Sequence, residues 1–276
     1  MKGKLYIVST PIGNLEDITT RAAKILSYVD IIACEDTRVT RKLLSHMGIK
    51  KTLLSYHEHN EVEKSEEIIN YLINGNSVAV VTDAGTPCIS DPGYRLVKQA
   101  SENGIDVISI PGPCAATSAL SISGLPTSGF TFIGFLPRTA NKQKYVLEEL
   151  KTYPQSLIFY ESPQRVIKTL GIIVEVLGDR QCSVSRELTK IYEETIRGTL
   201  SKVIKKLEEK DKIKGEFTIV VEGFDNSSGN PDIDIESELT ELKQKGKTLK
   251  EAVSIMTDRF NLQKNEVYKT ALTIWD

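Results

Sequence analysis

Residues 78–93 read V-A-V-V-T-D-A-G-T-P-C-I-S-D-P-G. Val78 to Val81 form a short apolar run with β-branched side chains, as in a strand buried on both faces. The run breaks off into Asp83, Gly85, Pro87, Ser90, Asp91, Pro92 and Gly93, a turn signal too dense for regular structure. Open parallel sheets bind ligands beyond the carboxyl ends of their strands, where loops expose backbone N–H and C=O groups. Residues 83–91 are therefore candidates for one wall of a binding cleft. An ordinary strand-to-helix connection looks the same in sequence, and the loop alone does not separate the two.

The flanking segments supply the context. Leu5 to Ser9 reads as a first strand, followed by the loop Thr10-Pro11-Ile12-Gly13-Asn14. Ala22, Ala23, Ile25, Leu26 and Val29 then recur at helical spacing, with Asp17 or Thr19 as the cap. Ile31 to Cys34 is a second strand, ending in Glu35-Asp36-Thr37-Arg38, and a basic helix runs from Arg38 to Met47. A strand over Leu53–Tyr56, a helix over 61–73, a helix over 93–103 and a strand over Val107–Ile110 complete the alternation. Such spacing predicts β-α-β units and a largely parallel sheet with its polar loops on one edge. Pro111-Gly112-Pro113 opens a helix over 114–123 rich in Ala and Ser, where backbone or ligand can approach closely.

After Gly124–Gly129 the pattern changes. Four strands are expected, at 130–135, 156–160, 181–185 and 216–221, separated by helices near 141–151, 163–177 and 199–210. Residues 225–235 read as a polar linker. Three short helices follow, near 236–245, 248–260 and 264–273, with Thr248 and Glu251 as a capping box and Asn261 between the last two. The expected architecture is α/β: one domain over 1–123 with a parallel sheet, a second over 124–224 with a mixed sheet and a cleft between them. The linker 225–235 leads to a helical extension, 236–276. That extension has the length of a helix-turn-helix, but its seven basic and seven acidic residues fit packing or partner docking equally well.

Bulk properties narrow the function. The 276 residues are 40% hydrophobic and 26% charged with a net charge of −2, so no global field draws the protein to nucleic acid or anionic membrane. Four scattered cysteines without a C-x-x-C pair fit reduced thiols in a cytoplasmic protein. Met1–Lys4 does not read as a signal peptide, and no apolar run approaches the ~20 residues that span a bilayer. There is no G-x-G, which excludes the dinucleotide fingerprint. Gly246-Lys247-Thr248 mimics a P-loop end, but Glu241 replaces its first glycine. His57-Glu58-His59 is too tightly spaced for a zincin, so no metal site is expected.

Taken together, T-P-I-G-N-L-E-D-I-T, E-D-T-R, D-A-G-T-P-C-I-S-D-P-G, P-G-P, F-Y-E-S-P-Q-R and K-G-E-F-T resemble the tetrapyrrole-methylase superfamily. More narrowly they resemble its branch of small-subunit ribosomal RNA methyltransferases, which act on a cytidine 2′-hydroxyl of the decoding centre in 16S rRNA. The ordered motifs span residues 4–224, and the tail resembles that branch's helical extension. The resemblance implies S-adenosylmethionine held between two α/β domains, and a homodimer. It also implies that Asp83, Ala84 and Gly85 line the methionine side of the cofactor, with Ile89 and Ser90 offering backbone groups. Pro11, Cys114 and Ala115 complete that wall, Tyr160 sits near the adenine, and Gly215, Glu216 and Phe217 close the cleft.

For chemistry, a sulfonium donor is already activated, so the protein has chiefly to align an oxygen with the methyl. A weakly acidic hydroxyl gains from a base or a cation nearby. Glu35, Asp36 and Arg38 share a strand end: Asp36 can take the proton or orient the ribose, and Arg38 can hold a phosphate or the developing alkoxide. A structural Asp–Arg pair is the competing reading. Arg186 beside Glu187 is the second candidate. Local basic patches near the cleft, Arg38, Arg41 and Lys42 on one rim and Arg138, Lys142 and Lys144 on another, are candidate RNA contacts. The rivals are a corrin or porphyrin-precursor methyltransferase of this fold and a noncatalytic ribosome-binding protein.

Overall fold

The computed structural model describes residues 2–224, 234–260, 262 and 264–275. The expected linker lies, up to residue 233, outside the described residues, as does Asn261. In the first half the elements are β1 (Leu5–Val8), α1 (Thr20–Tyr28), β2 (Ile31–Cys34), α2 (Thr37–His46) and β3 (Thr52–Ser55). They continue as α3 (Glu61–Ile73), β4 (Val78–Val81), α4 (Tyr94–Glu102), β5 (Val107–Ile110) and α5 (Ala115–Ser123). The strands form an all-parallel sheet in the order β3-β2-β4-β1-β5.

Alternation along the strands divides the core. Leu5, Ile7, Val78 and Val80 meet Ile68, Leu72 and Leu96 from α3 and α4. Tyr6, Val8, Ala79 and Val81 face Ala22, Leu26 and Leu44 from α1 and α2. Both faces of β1 and β4 are therefore dry, which explains their unbroken apolar runs. The connections leaving β1 and β4 run in opposite directions on opposite faces, so a crevice opens at their carboxyl ends. Of the two candidate caps for α1, Thr19 is used: its hydroxyl accepts from the Ala22 N–H at 3.0 Å.

The second half contains β6 (Phe130–Phe135), α6 (Ala140–Leu150), β7 (Ser156–Glu161), α7 (Val166–Leu177), β8 (Gln181–Arg186), β9 (Glu194–Thr199), α8 (Leu200–Glu208) and β10 (Phe217–Val221). Its sheet runs β6-β7-β10-β8-β9 and is mixed: β6 and β7 are parallel and the other pairs antiparallel. The four strands expected there are thus joined by a fifth. β9 reads E-T-I-R-G-T, an edge strand too polar to show an apolar period.

α5 joins the two halves. Ala116, Ala119 and Leu120 on its buried face pack against Ile158 of β7, Val220 of β10 and Leu188. The opposite face of that sheet, with Leu157, Phe159, Ile219 and Val221, packs on α6, α7 and α8. Arg197 of β9 then closes the end of α5, its Nε donating to the carbonyls of Ile122 at 3.1 Å and Ser123 at 3.2 Å. A cation there also suits the negative end of the helix.

The tail forms α9 (Ile235–Gln244), α10 (Leu249–Phe260) and α11 (Lys264–Trp275) around a core of Leu239, Ala252, Val253, Met256, Val267 and Ala271. The expected capping box is present: the Thr248 N–H donates to Glu251 Oε2 at 2.9 Å, and the Glu251 N–H to Thr248 Oγ1 at 3.3 Å. Among the described residues no helix is long and apolar enough to cross a membrane.

The α5 contact leaves no room for a larger side chain at Ala119, which is fully buried. Ala119→Leu is expected to cost about 1–3 kcal/mol by overpacking. Chemical denaturation measures the loss, and an unchanged midpoint would show that the two halves do not meet through this face.

Candidate functional site

The loop after β4 is drawn toward β1 by a short antiparallel bridge. The Thr10 N–H donates to the Gly85 carbonyl at 2.8 Å, and the Gly85 N–H returns to Thr10 at 3.1 Å. Gly85 sits at φ +88°, a left-handed conformation that favours glycine. Cys88 at φ +70° and Ser90 at φ +66° hold similar conformations without that freedom. Strain of this kind persists where the surroundings enforce it, commonly in binding loops.

Between this loop and the second sheet lies a cavity of about 370 Å³, within the range of small-molecule sites. One wall is acidic, with Glu35 beyond β2 and Asp83 and Asp91 beyond β4. Thr82 Oγ1 donates to Glu35 Oε2 at 3.1 Å. Burial, with the Glu35 charge adding to it, pushes the Asp91 carboxyl up to about 6. Asp83 is also raised, chiefly by partial burial. Among the described residues no group of three or more His, Cys, Asp or Glu can hold a metal ion. The arrangement instead suits an organic cation.

The facing wall is aromatic. The Tyr160 ring packs edge-on against Phe132 at 5.0 Å and Phe135 at 5.7 Å. Its hydroxyl accepts from the Ala116 N–H at 3.1 Å, so a side chain of β7 tethers the first turn of α5. Burial raises the Tyr160 phenol and keeps it neutral.

Most of the sequence-derived residues converge here. Glu35, Asp83, Ala84, Gly85, Ile89, Ser90, Cys114, Ala115, Tyr160, Glu216 and Phe217 all line the cavity. Phe217 is buried with its side chain in the core behind the sheet, so its ring is committed to packing. Pro11 lines a neighbouring cavity instead, and Gly215 lies outside both linings.

Asp36, Arg38 and Arg186 line neither cavity. Asp36 caps α2 by accepting from the Arg38 N–H at 2.7 Å, and it grips the Arg38 guanidinium, with Nη2 at 2.6 Å. Those bonds from Arg38 pull its carboxyl down to about 2, which makes it a poor proton acceptor. The competing structural reading of the Asp–Arg pair therefore accounts for its geometry. Arg186 is paired with Glu194 of β9 at 2.9 Å, and Lys210 reaches the same carboxylate. Asp91 and Phe135 carry weight that residue-by-residue sequence reading did not assign them. The signal for Asp91 was its place in the S-D-P-G turn; Phe135 had none beyond an apolar strand.

Residues 4–204 match the family model described as Tetrapyrrole (Corrin/Porphyrin) Methylases, and the chain belongs to that family. Its relatives narrow the grouping. Ribosomal RNA small subunit methyltransferase I of Bacillus subtilis is 46% identical, covering 96% of this chain and 93% of that protein. The protein of the same name from Haemophilus influenzae is 43% identical over 99% of this chain and 97% of its own. Among solved structures, uroporphyrin-III C-methyltransferase from Thermus thermophilus, complexed with S-adenyl homocysteine, superposes with a TM-score of 0.54 at 17% identity. It covers 79% of this chain and 97% of its own. The methyltransferase CobJ reaches a TM-score of 0.60 at 17% identity over 80% of this chain and 94% of its own. At such identity the likeness establishes the fold, a two-sheet methylase architecture.

The raised Asp91 carboxyl makes stability depend on pH in a defined direction. Between about pH 4 and 6 the folded protein keeps a proton that the unfolded chain has lost, so stability falls as pH rises across that window. Asp91→Asn removes this loss and is expected to be more stable than the parent at pH 7, with the gap closing below pH ~4. Thermal unfolding across pH 4–8 measures it; a variant less stable at pH 7 would contradict the assignment.

Proposed function

We propose that the protein methylates the RNA of the small ribosomal subunit with S-adenosylmethionine as donor, and that the acceptor is a cytidine 2′-hydroxyl of the decoding centre in 16S rRNA. The observation that carries the reading is the cleft itself, with carboxylates on one wall and edge-packed aromatics on the other. The donor is a sulfonium with an ammonium group and an adenine, so its charges match Glu35, Asp83 and Asp91 and its base matches Tyr160 and Phe135. The residues present therefore fit the group.

When bound, the cofactor supplies a methyl already activated by positive sulfur. The chain's own residues have to orient and shield it. In this reading the backbone of Ala84, Gly85, Ile89 and Ser90, which line the cavity, holds the amino-acid portion, with Cys114 and Ala115 at the start of α5 closing that end. Ile12 and the aromatic wall exclude water, which strengthens each charge–charge contact inside. The shared name of the relatives, ribosomal RNA small subunit methyltransferase I, supports ribosomal RNA as the acceptor. The exposed Arg38, Arg41 and Lys42 on α2 supply the local positive charge that such a partner needs despite the net charge of −2. The protein acts in this reading as a cytoplasmic homodimer.

Incubation with methyl-labelled donor and either undermethylated small subunits or a porphyrin-precursor macrocycle tests the proposal. Label is expected in RNA and, after digestion, in 2′-O-methylcytidine. Label on the macrocycle alone, or on a nucleobase, would overturn the acceptor assignment. Failure to bind the donor at all would point to a noncatalytic ribosome-binding protein.

A further inference from the structure

Beside the first cavity lies a second of about 360 Å³. The two share Ile12, Thr82, Asp83, Ala84 and Glu216, so they meet along one wall. The second cavity takes its other surfaces from the loop after β1, from α2 and from Lys190. Leu15 and Val39 give it an aliphatic surface that is 41% and 39% exposed, and Lys42 and Lys190 give it two ammonium groups.

Lys190 is held there by Glu187 at 2.8 Å and Glu216 at 3.0 Å. Gly13 makes the approach possible, since a Cβ on it would stand 2.5 Å from Lys190 Cγ. An aliphatic surface bordered by ammonium groups suits a nucleotide, with sugar or base on the apolar side and phosphate at a lysine. Two acids lie on the shared wall. Glu216 is tied to Lys190, whereas Asp83 forms no salt bridge among the described residues. Asp83 Oδ1 accepts from the Asp36 N–H at 3.1 Å, and Oδ2 takes no hydrogen bond from any described residue.

We propose that the acceptor ribose of the RNA enters this second cavity and that Asp83, on the wall common to both cavities, takes the proton of the attacking hydroxyl. The inference rests on the RNA-methylation reading and adds to it a substrate subsite and a catalytic residue. The hydroxyl oxygen forms its bond to the methyl carbon as the carbon–sulfur bond breaks. The electron pair stays on sulfur, which becomes a neutral thioether, and the hydroxyl proton passes to Asp83 Oδ2. No further reactant is required.

Asp83 is better suited than Asp36 on two counts. Its second oxygen is available where both cavities meet, and its carboxyl is raised rather than lowered, so it binds a proton more readily. The charged groups around it are Glu35, Asp36 and Arg38 from the β2–α2 junction, Asp91 from its own loop, and Lys42, Lys190 and Glu216 across the second cavity.

Asp83→Asn keeps the shape and the Asp36 contact while removing the base. With undermethylated small subunits, its kcat is expected to fall about 100- to 10,000-fold. Since Glu35 and Asp91 remain beside the donor, calorimetric affinity for S-adenosylmethionine should fall by no more than about tenfold, so kcat is read at saturating donor, and filter-binding affinity for the subunits should stay within about threefold of the parent. The acid limb of the kcat–pH profile should disappear with it. Asp36→Asn, which only weakens a helix cap, should lose less. Retained kcat in Asp83→Asn, a collapse of donor affinity instead of turnover, or a larger loss in Asp36→Asn would each overturn the inference. A parent protein that binds donor but never labels RNA would instead overturn the functional reading, and this inference with it.

Discussion

Ala116, Ala119 and Leu120 on one face of α5 press against Ile158, Val220 and Leu188 of the second half, and this contact sets the spacing of the two sheets. Small side chains on the helix let its backbone come close, and Tyr160 and Arg197 fasten its two ends from the other half. A helix that belongs by sequence to the first half is thus covered by the second. With the halves docked in this way, the loops after β2 and β4 and the ends of β7 and β10 line one cavity.

In and beside the cleft the acids differ in what they touch. Asp36 is spent on the first turn of α2 and on Arg38, a local arrangement that stiffens the strand end. Asp91 sits where burial disfavours its negative charge, with the charge of Glu35 adding to the effect. Asp83 stands between, on the wall shared with the neighbouring cavity. Four carboxylates beyond two strand ends, Glu35 and Asp36 after β2 and Asp83 and Asp91 after β4, therefore stand in different surroundings, set by what each side chain already touches.

The parallel first sheet was legible because its strands are buried on both faces and read as unbroken apolar runs, as in Val78–Val81. The helix over 61–73 and the strands over 107–110 and 130–135 fall where periodicity places them. β9 was not legible, since Glu194, Arg197 and Gly198 erase the alternation that identifies a strand. The strand-end loops were visible as candidates, but their roles came from resemblance and not from spacing. Asp36 and Arg38 show the limit clearly. Sequence puts them at a strand end in reach of a cleft, while only coordinates reveal that they satisfy one another and leave the lining to Glu35. Asp91 shows the converse, because its shift arises from burial and from the charge of Glu35, which is distant in sequence.

Hydrogen exchange with mass spectrometry, with and without S-adenosylmethionine, tests most directly whether one ligand engages both halves. The account predicts slower exchange in residues 83–91 and, at the same donor concentration, in the segments around 114–116, 160–163 and 216–218. Slowing confined to the first-half loops, with the second-half segments unaffected at saturation, would contradict a cleft formed between the two sheets.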